Sequence, residues 1–327
     1  MRYRRLGRTG VSVSQAVLGT VNFSWLTNEA DSFAILDRAL ELGVNAIDTS
    51  NNYNAGRTEA LLGRWLAQGG GRREKIVLAS KVYAPPMEWG SADPVMRSGS
   101  WVGPNDHGLS ARHIRDACEA SLTRLGTDHL DLYQMHHIDR RTPLDEIWQA
   151  MELLVAQGKV IYVGSSNFAG WHIARAQESA RARGRLGLAS EQSIYNLKNR
   201  TVELEVIPAC QSYGLGFLPY SPLAAGVLGG RAEVEGGRRS FAPDTNDPTM
   251  ARYHDLCAEL GYSPADVAIA WVAQQPGVTA PIIGPRTMEQ LETGVKAVSI
   301  AFDAEILKRL DDLFPGPGGP APEAYSW

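Results

Sequence analysis

Glycine-rich phosphate loops are missing from this sequence. No G-x-G-x-x-G follows the first strand-like segment, and no G-x-x-x-x-G-K-[ST] occurs. That absence counts against a doubly wound dinucleotide-binding sheet and against a P-loop nucleotidase. No apolar run approaches the ~20 residues that a membrane span needs. Cysteine is scarce: Cys118, Cys210 and Cys257 are far apart, odd in number and set among helical residues, which suits buried thiols better than a disulfide or a metal site. A net charge of -4 leaves no basic excess for nucleic acid or for an anionic membrane surface. The start, MRYRRLGRTG, is basic but has no apolar core behind it, so it does not read as a secretory signal, and a cytoplasmic protein is expected.

What the chain does contain is alternation. Its 327 residues, 44% hydrophobic and 21% charged, have the balance of a soluble globular protein. A Gly7–Gly10 turn within residues 1–13 predicts a hairpin. Strand-like and helix-like segments then follow in turn: 16–18 and 29–42, 45–48 and 58–67, 76–82 and 111–125, 130–138 and 144–157. The series continues with 160–164 and 171–182, 188–194 and 202–213, 216–220 with helices at 250–260 and 264–275, and 280–283 with 287–298. Helix 111–125 is the clearest of these, with Ser110 as N-cap and Ile114, Cys118, Leu122 and Leu125 at helical spacing. Eight strand–helix repeats favour a closed (β/α)₈ TIM barrel over an open sheet. Residues 1–327 are read as a single barrel domain with an N-terminal β-hairpin and an extra C-terminal helix at 304–314. Two long loops, about 84–109 and 222–248, lie outside the repeat, and a Pro/Gly tail at 315–327 is expected to be loosely held. The first loop follows the third strand and carries Trp89 and Trp101, which favours a folded lid over the barrel mouth.

Four polar residues share one address. Asp48, Lys81 and His136 lie at the carboxyl ends of three successive strand-like runs, and Tyr53 comes five residues after Asp48. Singly, each has an ordinary explanation: a turn cap, a half-buried aromatic, a strand-end charge, a satisfied core histidine. Together they meet at the end of a parallel barrel where chemistry is found. His136 and His137, if both on a strand, would point to opposite faces and could not share a metal, so no metal site is expected. A Schiff-base lyase needs an uncharged lysine, and Asp48 favours the charged one. A proton-donating phenol remains. A free phenol ionises near pH 10, too high for efficient acid catalysis. Lowering that value to ~7–8 takes roughly 3–4 kcal/mol. One ammonium at ~4 Å supplies about 4 kcal/mol at an effective dielectric of ~20. The set holds no nucleophile, so a second reactant must bring the electrons, and a nicotinamide hydride is the obvious one.

The ordered stretches RRLGRTG, LGTVNF, NAIDTSNNY, IVLASKV, GLSARHIRDACEASLTRLGTDHLDLYQMH, VGSSNF, EQSIYN, PYSPLAAGVLGG and IIGPRTMEQLE make the chain resemble the aldo-keto reductase superfamily. The resemblance runs to about residue 300 and is nearest to the bacterial long-loop branch that also resembles potassium-channel β subunits. It implies Asp48, Tyr53, Lys81 and His136 as a catalytic tetrad, and NADPH as cofactor. Implied cofactor contacts are Gly19, Thr20 and Asp48; Ser166, Asn167 and Gln192 at the carboxamide; and Tyr220 stacked on the nicotinamide. Ser221, Leu223, Gly226 and Leu228 would wrap the pyrophosphate, and Gly284, Arg286 and Gln290 would hold the adenosine end. The residues support this last assignment, because Ile283–Thr287 leads into a helix N-terminus that favours phosphate, and Arg286 suits a 2′-phosphate. One departure is Gly294, where relatives commonly carry asparagine. Asn22, Phe23, Trp25, Tyr53, Trp89, Trp101 and His137 are the expected substrate lining. The implied substrate is a ketone or aldehyde, in a keto-sugar or polyketide side chain of secondary metabolism. The alternatives are a cofactor-sensing subunit with little turnover, or a reductase of an activated C=C bond in a deoxysugar intermediate. Relatives of this branch occur as homo-oligomers, tetramers or octamers, as well as monomers, and no stretch selects among them.

Overall fold

The computed structural model describes residues 1–86, 103–230 and 247–324. Trp89 and Trp101 lie outside them. An antiparallel hairpin of β1 (Tyr3–Arg5) and β2 (Ser12–Ser14) comes first. The repeat follows in chain order: β3 (Val17–Gly19), α1 (Glu29–Glu41), β4 (Ala46–Asp48), α2 (Arg57–Leu66), β5 (Val77–Val82), α3 (Ala111–Leu125), β6 (Leu130–Met135) and α4 (Leu144–Ala156). It continues through β7 (Val160–Ser166), α5 (Gly170–Ala182), β8 (Leu188–Gln192), α6 (Val206–Tyr213), β9 (Gly216–Phe217), α7 (Pro248–Leu260), α8 (Pro264–Gln274), β10 (Ile282–Ile283) and α9 (Met288–Ala297), with α10 (Ala304–Leu313) last.

β3 to β10 form one parallel sheet of eight strands, in the order β10-β3-β4-β5-β6-β7-β8-β9. The sheet closes on itself where the Thr279 N–H donates to the Phe217 carbonyl and the Ile282 N–H to the Pro219 carbonyl, each at 2.8 Å. This is the expected (β/α)₈ barrel. Its interior is filled by Val17, Ala46, Ala79, Leu132, Ala189, Leu218, Ala280 and Ile282, and the hairpin adds Leu6 and Val13 from below. A residual void of about 10 Å³ among these side chains is at the lower limit for one water. Among the described residues the barrel is therefore stopped at its amino end. Gly7 lets the hairpin seat there: its φ is +56°, and a Cβ would lie 2.4 Å from the Gly214 carbonyl oxygen.

The helices begin where the sequence signals them. Ser110, Ser263, Thr287 and Asp303 each accept a backbone N–H within the first turn of the helix they cap. Their apolar faces pack onto the barrel in one continuous core that includes Trp65, Trp148 and Trp271. Cys118, Cys210 and Cys257 are free and buried, as expected. Two details differ from the sequence reading. The run 130–138 ends as a strand at Met135, so His136 and His137 sit in the connection after it. The tail, expected to be loose, is held as far as residue 321: Ala321 N–H donates to the Leu204 carbonyl at 2.8 Å, and Arg200 donates to the Phe314 carbonyl at 2.9 Å.

Two residues in the layer between barrel and helices generate predictions. Gly63 on α2 faces α3 so closely that a Cβ would lie 2.2 Å from the Arg124 carbonyl oxygen. Gly63→Ala should therefore lower stability by about 1–3 kcal/mol, read as a fall in the urea midpoint at unchanged slope. Glu191 on β8 is fully buried; burial pushes its carboxyl up to about 7, against hydrogen bonds from Ser165, Ser193 and the backbone of Phe168 and Asn167. The folded state thus holds this proton more tightly than the unfolded state, so stability falls as pH rises from about 4.5 to 7. In denaturation across that window, wild type should lose about 3 kcal/mol more than Glu191→Gln; parallel curves would refute the assignment.

Candidate active site

Strand register builds the site. Gly19 pairs with Asp48, Lys81 with Gln134, and Ser166 with Gln192, so side chains from β4, β5, β6 and β8 converge inside the upper barrel. At their centre is the Lys81 ammonium, with no solvent exposure. It donates to Asp48 Oδ2 at 2.5 Å, to the Thr49 carbonyl at 2.9 Å and to the Tyr53 hydroxyl at 3.0 Å. Three donors meet three acceptors, which satisfies an ammonium. Burial by itself would lower the lysine's proton affinity; Asp48 and Tyr53 outweigh it and hold the pKa above the ordinary value. Lys81 is therefore charged, as the sequence argument required.

A second tier of residues fixes Asp48. Its Oδ1 accepts from Gln192 at 2.8 Å and from Gln134 at 3.1 Å, while the two amides are joined at 3.2 Å. Gln134 went unremarked in the sequence reading, although it stands two residues before His136 on an inward-facing strand position. Tyr53 is buried, and the Lys81 nitrogen lies 4.8 Å from its ring centroid. The His136 ring meets Tyr53 edge-on at 6.1 Å. Its Nδ1 lies 3.2 Å from the Ser50 hydroxyl. The predicted tetrad is thus assembled at one end of the barrel, with His136 half-buried at the rim.

His137 does not turn away from His136. Because both follow the strand's end, the two rings stack at 5.7 Å with 17° between planes, so the alternating-face argument made for them does not apply. Among the described residues no group of three or more His, Cys, Asp or Glu side chains is arranged to hold a metal ion. His137 is exposed and packs on Tyr83 at 5.4 Å, which in turn meets His107 at 4.6 Å. Tyr83 and His107 extend an aromatic wall that the sequence analysis missed. The aromatic content just after β5 was the available signal. Phe23, expected to line the substrate site, is instead fully buried in the core. Trp25 is half-buried at the rim.

The expected cofactor residues divide by what already engages them. The Thr20 hydroxyl donates to the Asp48 carbonyl at 2.9 Å and is buried. Gly19 lies against β10, where a Cβ would come 2.7 Å from Ile282. Asn167 links three neighbours: its amide donates to the His136 carbonyl at 3.1 Å and to the Ser166 hydroxyl at 2.9 Å, and its oxygen accepts from Tyr220 at 2.9 Å. Leu228 is a core side chain, so its part in any loop around a ligand is through backbone. Ser221, Leu223 and Gly226 are half-buried on the connection after β9. Asn22 donates to the Gly284 carbonyl at 2.8 Å and so ties the loop after β3 to the loop after β10. Gln290 accepts the Arg286 N–H at 2.9 Å while Thr287 accepts the Gln290 N–H at 3.3 Å, a reciprocal closure of the α9 start. Gly294 is buried, and a Cβ there would stand 3.3 Å from Ile283, so glycine lets α9 approach the barrel.

Backbone strain marks the same end. Among the described residues, the non-glycine positions with positive φ are Ser24, Asn54, Ala55, Asn167, Ser221, Ala224 and Ala225. All fall in connections that follow barrel strands at their carboxyl ends. Such conformations cost on the order of 1–3 kcal/mol each and persist where surrounding structure over-determines them, typically at functional sites.

Comparison with known proteins agrees with this geometry. A model of the aldo/keto reductase family matches residues 16–314. The chain is 52% identical to an uncharacterized oxidoreductase, YrpG, of Bacillus subtilis (strain 168), with 100% of both chains covered. It is 31% identical to versiconal hemiacetal acetate reductase of Aspergillus parasiticus, over 96% of this chain and 97% of that one. A probable voltage-gated potassium channel subunit beta of Oryza sativa subsp. japonica is 33% identical, over 92% of each chain. With its strands closed into a barrel and this match spanning nearly all of them, the chain belongs to the aldo/keto reductase family of oxidoreductases.

Proposed function

We propose that the protein is an NADPH-dependent carbonyl reductase in which Tyr53 donates the proton. The observation that carries this reading is the fully buried Lys81 ammonium, 3.0 Å from the Tyr53 hydroxyl and 2.5 Å from Asp48. The residues at the barrel mouth suit the cofactor. Arg286 is half-buried where β10 turns into α9, Gly284 is exposed with nothing within 3.4 Å of a would-be Cβ, and the helix start favours anions. Arg286 would hold the 2′-phosphate, with Gly284 and Gln290 beside the adenosine. Ser221, Leu223, Gly226 and Leu228 would border the pyrophosphate. Thr20, Ser166, Gln192 and Tyr220 would surround the nicotinamide, and Asn167 would keep Tyr220 and His136 in place. When bound, the reduced nicotinamide supplies the hydride that the side chains cannot.

The chain's own residues would handle the oxygen. A ketone or aldehyde oxygen placed between Tyr53 and His136 accepts the phenolic proton as charge develops on it. Lys81 stabilises the tyrosinate left behind, and Asp48 keeps Lys81 protonated and aimed. Water then returns a proton to Tyr53, so one proton is consumed per carbonyl reduced to an alcohol. Trp25, Tyr83, His107 and His137 give the mouth an aromatic border suited to a substrate larger than a simple aldehyde. The Aspergillus relative is named as a reductase of a hemiacetal acetate, which supports a substrate of carbonyl or hemiacetal type. The channel-subunit relative favours a second reading, a cofactor-sensing subunit with little turnover.

Single-turnover oxidation of bound NADPH by a reactive dicarbonyl separates the two. Rapid oxidation that falls by at least ~10²-fold in Tyr53→Phe is expected of the reductase; equally slow rates in both proteins would indicate the sensor. Arg286→Ala should weaken NADPH binding far more than NADH binding, measured by titrating cofactor fluorescence. Equal losses would show that the 2′-phosphate is held elsewhere.

A further inference from the structure

We propose that Asn54 is a positioning residue that aims Tyr53 by pinning a left-handed turn directly behind it. Three residues in succession after Tyr53 have left-handed backbone: Asn54 (φ +45°, ψ +51°), Ala55 (φ +57°, ψ +34°) and Gly56 (φ +80°, ψ −3°). Glycine takes this conformation freely and asparagine more readily than other residues, but runs of it are disfavoured because each Cβ crowds the following carbonyl. Such a run does not hold itself, so contacts outside it must.

Two clamps do so. On one side the Asn54 amide nitrogen donates to the Ser24 carbonyl at 2.6 Å and lies 3.0 Å from the Ser24 hydroxyl. A carbonyl only accepts, which fixes the end of the amide that faces it. Ser24 is itself anchored. Its N–H donates to the Thr27 carbonyl at 3.0 Å, and its hydroxyl lies 3.3 Å from that of Thr58, which donates to the Phe23 carbonyl at 3.1 Å. On the other side Gly56 rests on Arg124, where a Cβ would stand 2.9 Å from both Cδ and Nε. Arg124 pairs with the fully buried Glu59 at 2.7 Å, and Glu59 accepts the Ser80 hydroxyl at 2.6 Å, one residue before Lys81. The turn is thus tied both to the connection after β3 and to β5, the strand that carries the ammonium. Tyr53 stands at its head, with its hydroxyl 3.0 Å from the Lys81 nitrogen. Resting on the carbonyl-reductase reading, Asn54 serves proton donation through Tyr53 and does not itself touch the substrate.

The test compares single-turnover oxidation of bound NADPH by a reactive dicarbonyl in wild type, Asn54→Gly and Ala55→Gly, and repeats Asn54→Gly in the Tyr53→Phe background. Glycine accepts the backbone, so Asn54→Gly removes the clamp without adding strain. Its rate should fall by about 10- to 100-fold with NADPH affinity unchanged, and the loss should vanish once the Tyr53 hydroxyl is gone. Ala55→Gly gives the same backbone freedom one residue further on, leaves the clamp intact, and should keep the wild-type rate. An undiminished rate in Asn54→Gly, an equal fall in Ala55→Gly, or an equal loss with and without the Tyr53 hydroxyl overturns the proposal. A second readout is the ¹³Cζ resonance of labelled tyrosine, with the Tyr53 signal identified by its loss in Tyr53→Phe. It should be displaced in Asn54→Gly and stay in place in Ala55→Gly; an unmoved signal in Asn54→Gly overturns the proposal. That signal reports the ring equally in a protein with no reductase activity, so the two readings fail separately.

Discussion

A lysine ammonium removed from water is tolerated only where its protons find acceptors and its charge finds a counter-ion. In this chain that condition shapes the upper barrel. Asp48 supplies the charge, the Thr49 carbonyl and Tyr53 hydroxyl supply the remaining acceptors, and Gln134 and Gln192 steady Asp48 from the far side. Removing one member of such a set leaves a buried charge unmatched, typically at ~3–5 kcal/mol. Residues from four strands must therefore keep their register for the lysine to remain charged. The same arrangement that makes the ammonium tolerable also places it beside a phenol, so stability and chemistry draw on one set of contacts.

The two ends of the barrel handle tight turns differently. At the amino end, left-handed positions in the connections between helices and strands are glycines, such as Gly126 and Gly158, where the conformation is nearly free of strain. At the carboxyl end Gly56, Gly108, Gly226 and Gly230 are joined in it by alanine, asparagine and serine. Ala224 and Ala225 gain no side-chain hydrogen bond from doing so, and glycine would be the relaxed choice. A backbone path held there by its surroundings is the physical reading. It separates a face that only closes the fold from one whose shape is prescribed.

The fold was legible because hydrophobic periodicity reports burial, and a barrel buries every strand. Short strands such as β9 and β10 lie within the segments 216–220 and 280–283 read as strand-like, which are longer than the pairing that forms. Asp48, Tyr53 and Lys81 could be read because strand ends in a parallel barrel meet, which is a topological fact independent of side-chain detail. His136 lies beside Tyr53 but in a connection rather than on a strand, since sequence does not show that pairing ends at Met135. Phe23 misled for a related reason: residues just past a strand alternate between mouth and core, and nothing in the letters says which. The contacts of Ser50 and Asn167 were out of reach. They depend on the direction of single hydrogen bonds between loops that lie far apart in sequence.

The hairpin beneath the barrel has a consequence for molecular traffic. With Leu6 and Val13 filling the floor, the vessel is a cul-de-sac. Any guest seated deep within it is trapped by whatever settles above, and departure must reverse arrival. Proton resupply to the interior meets the same packed floor from underneath.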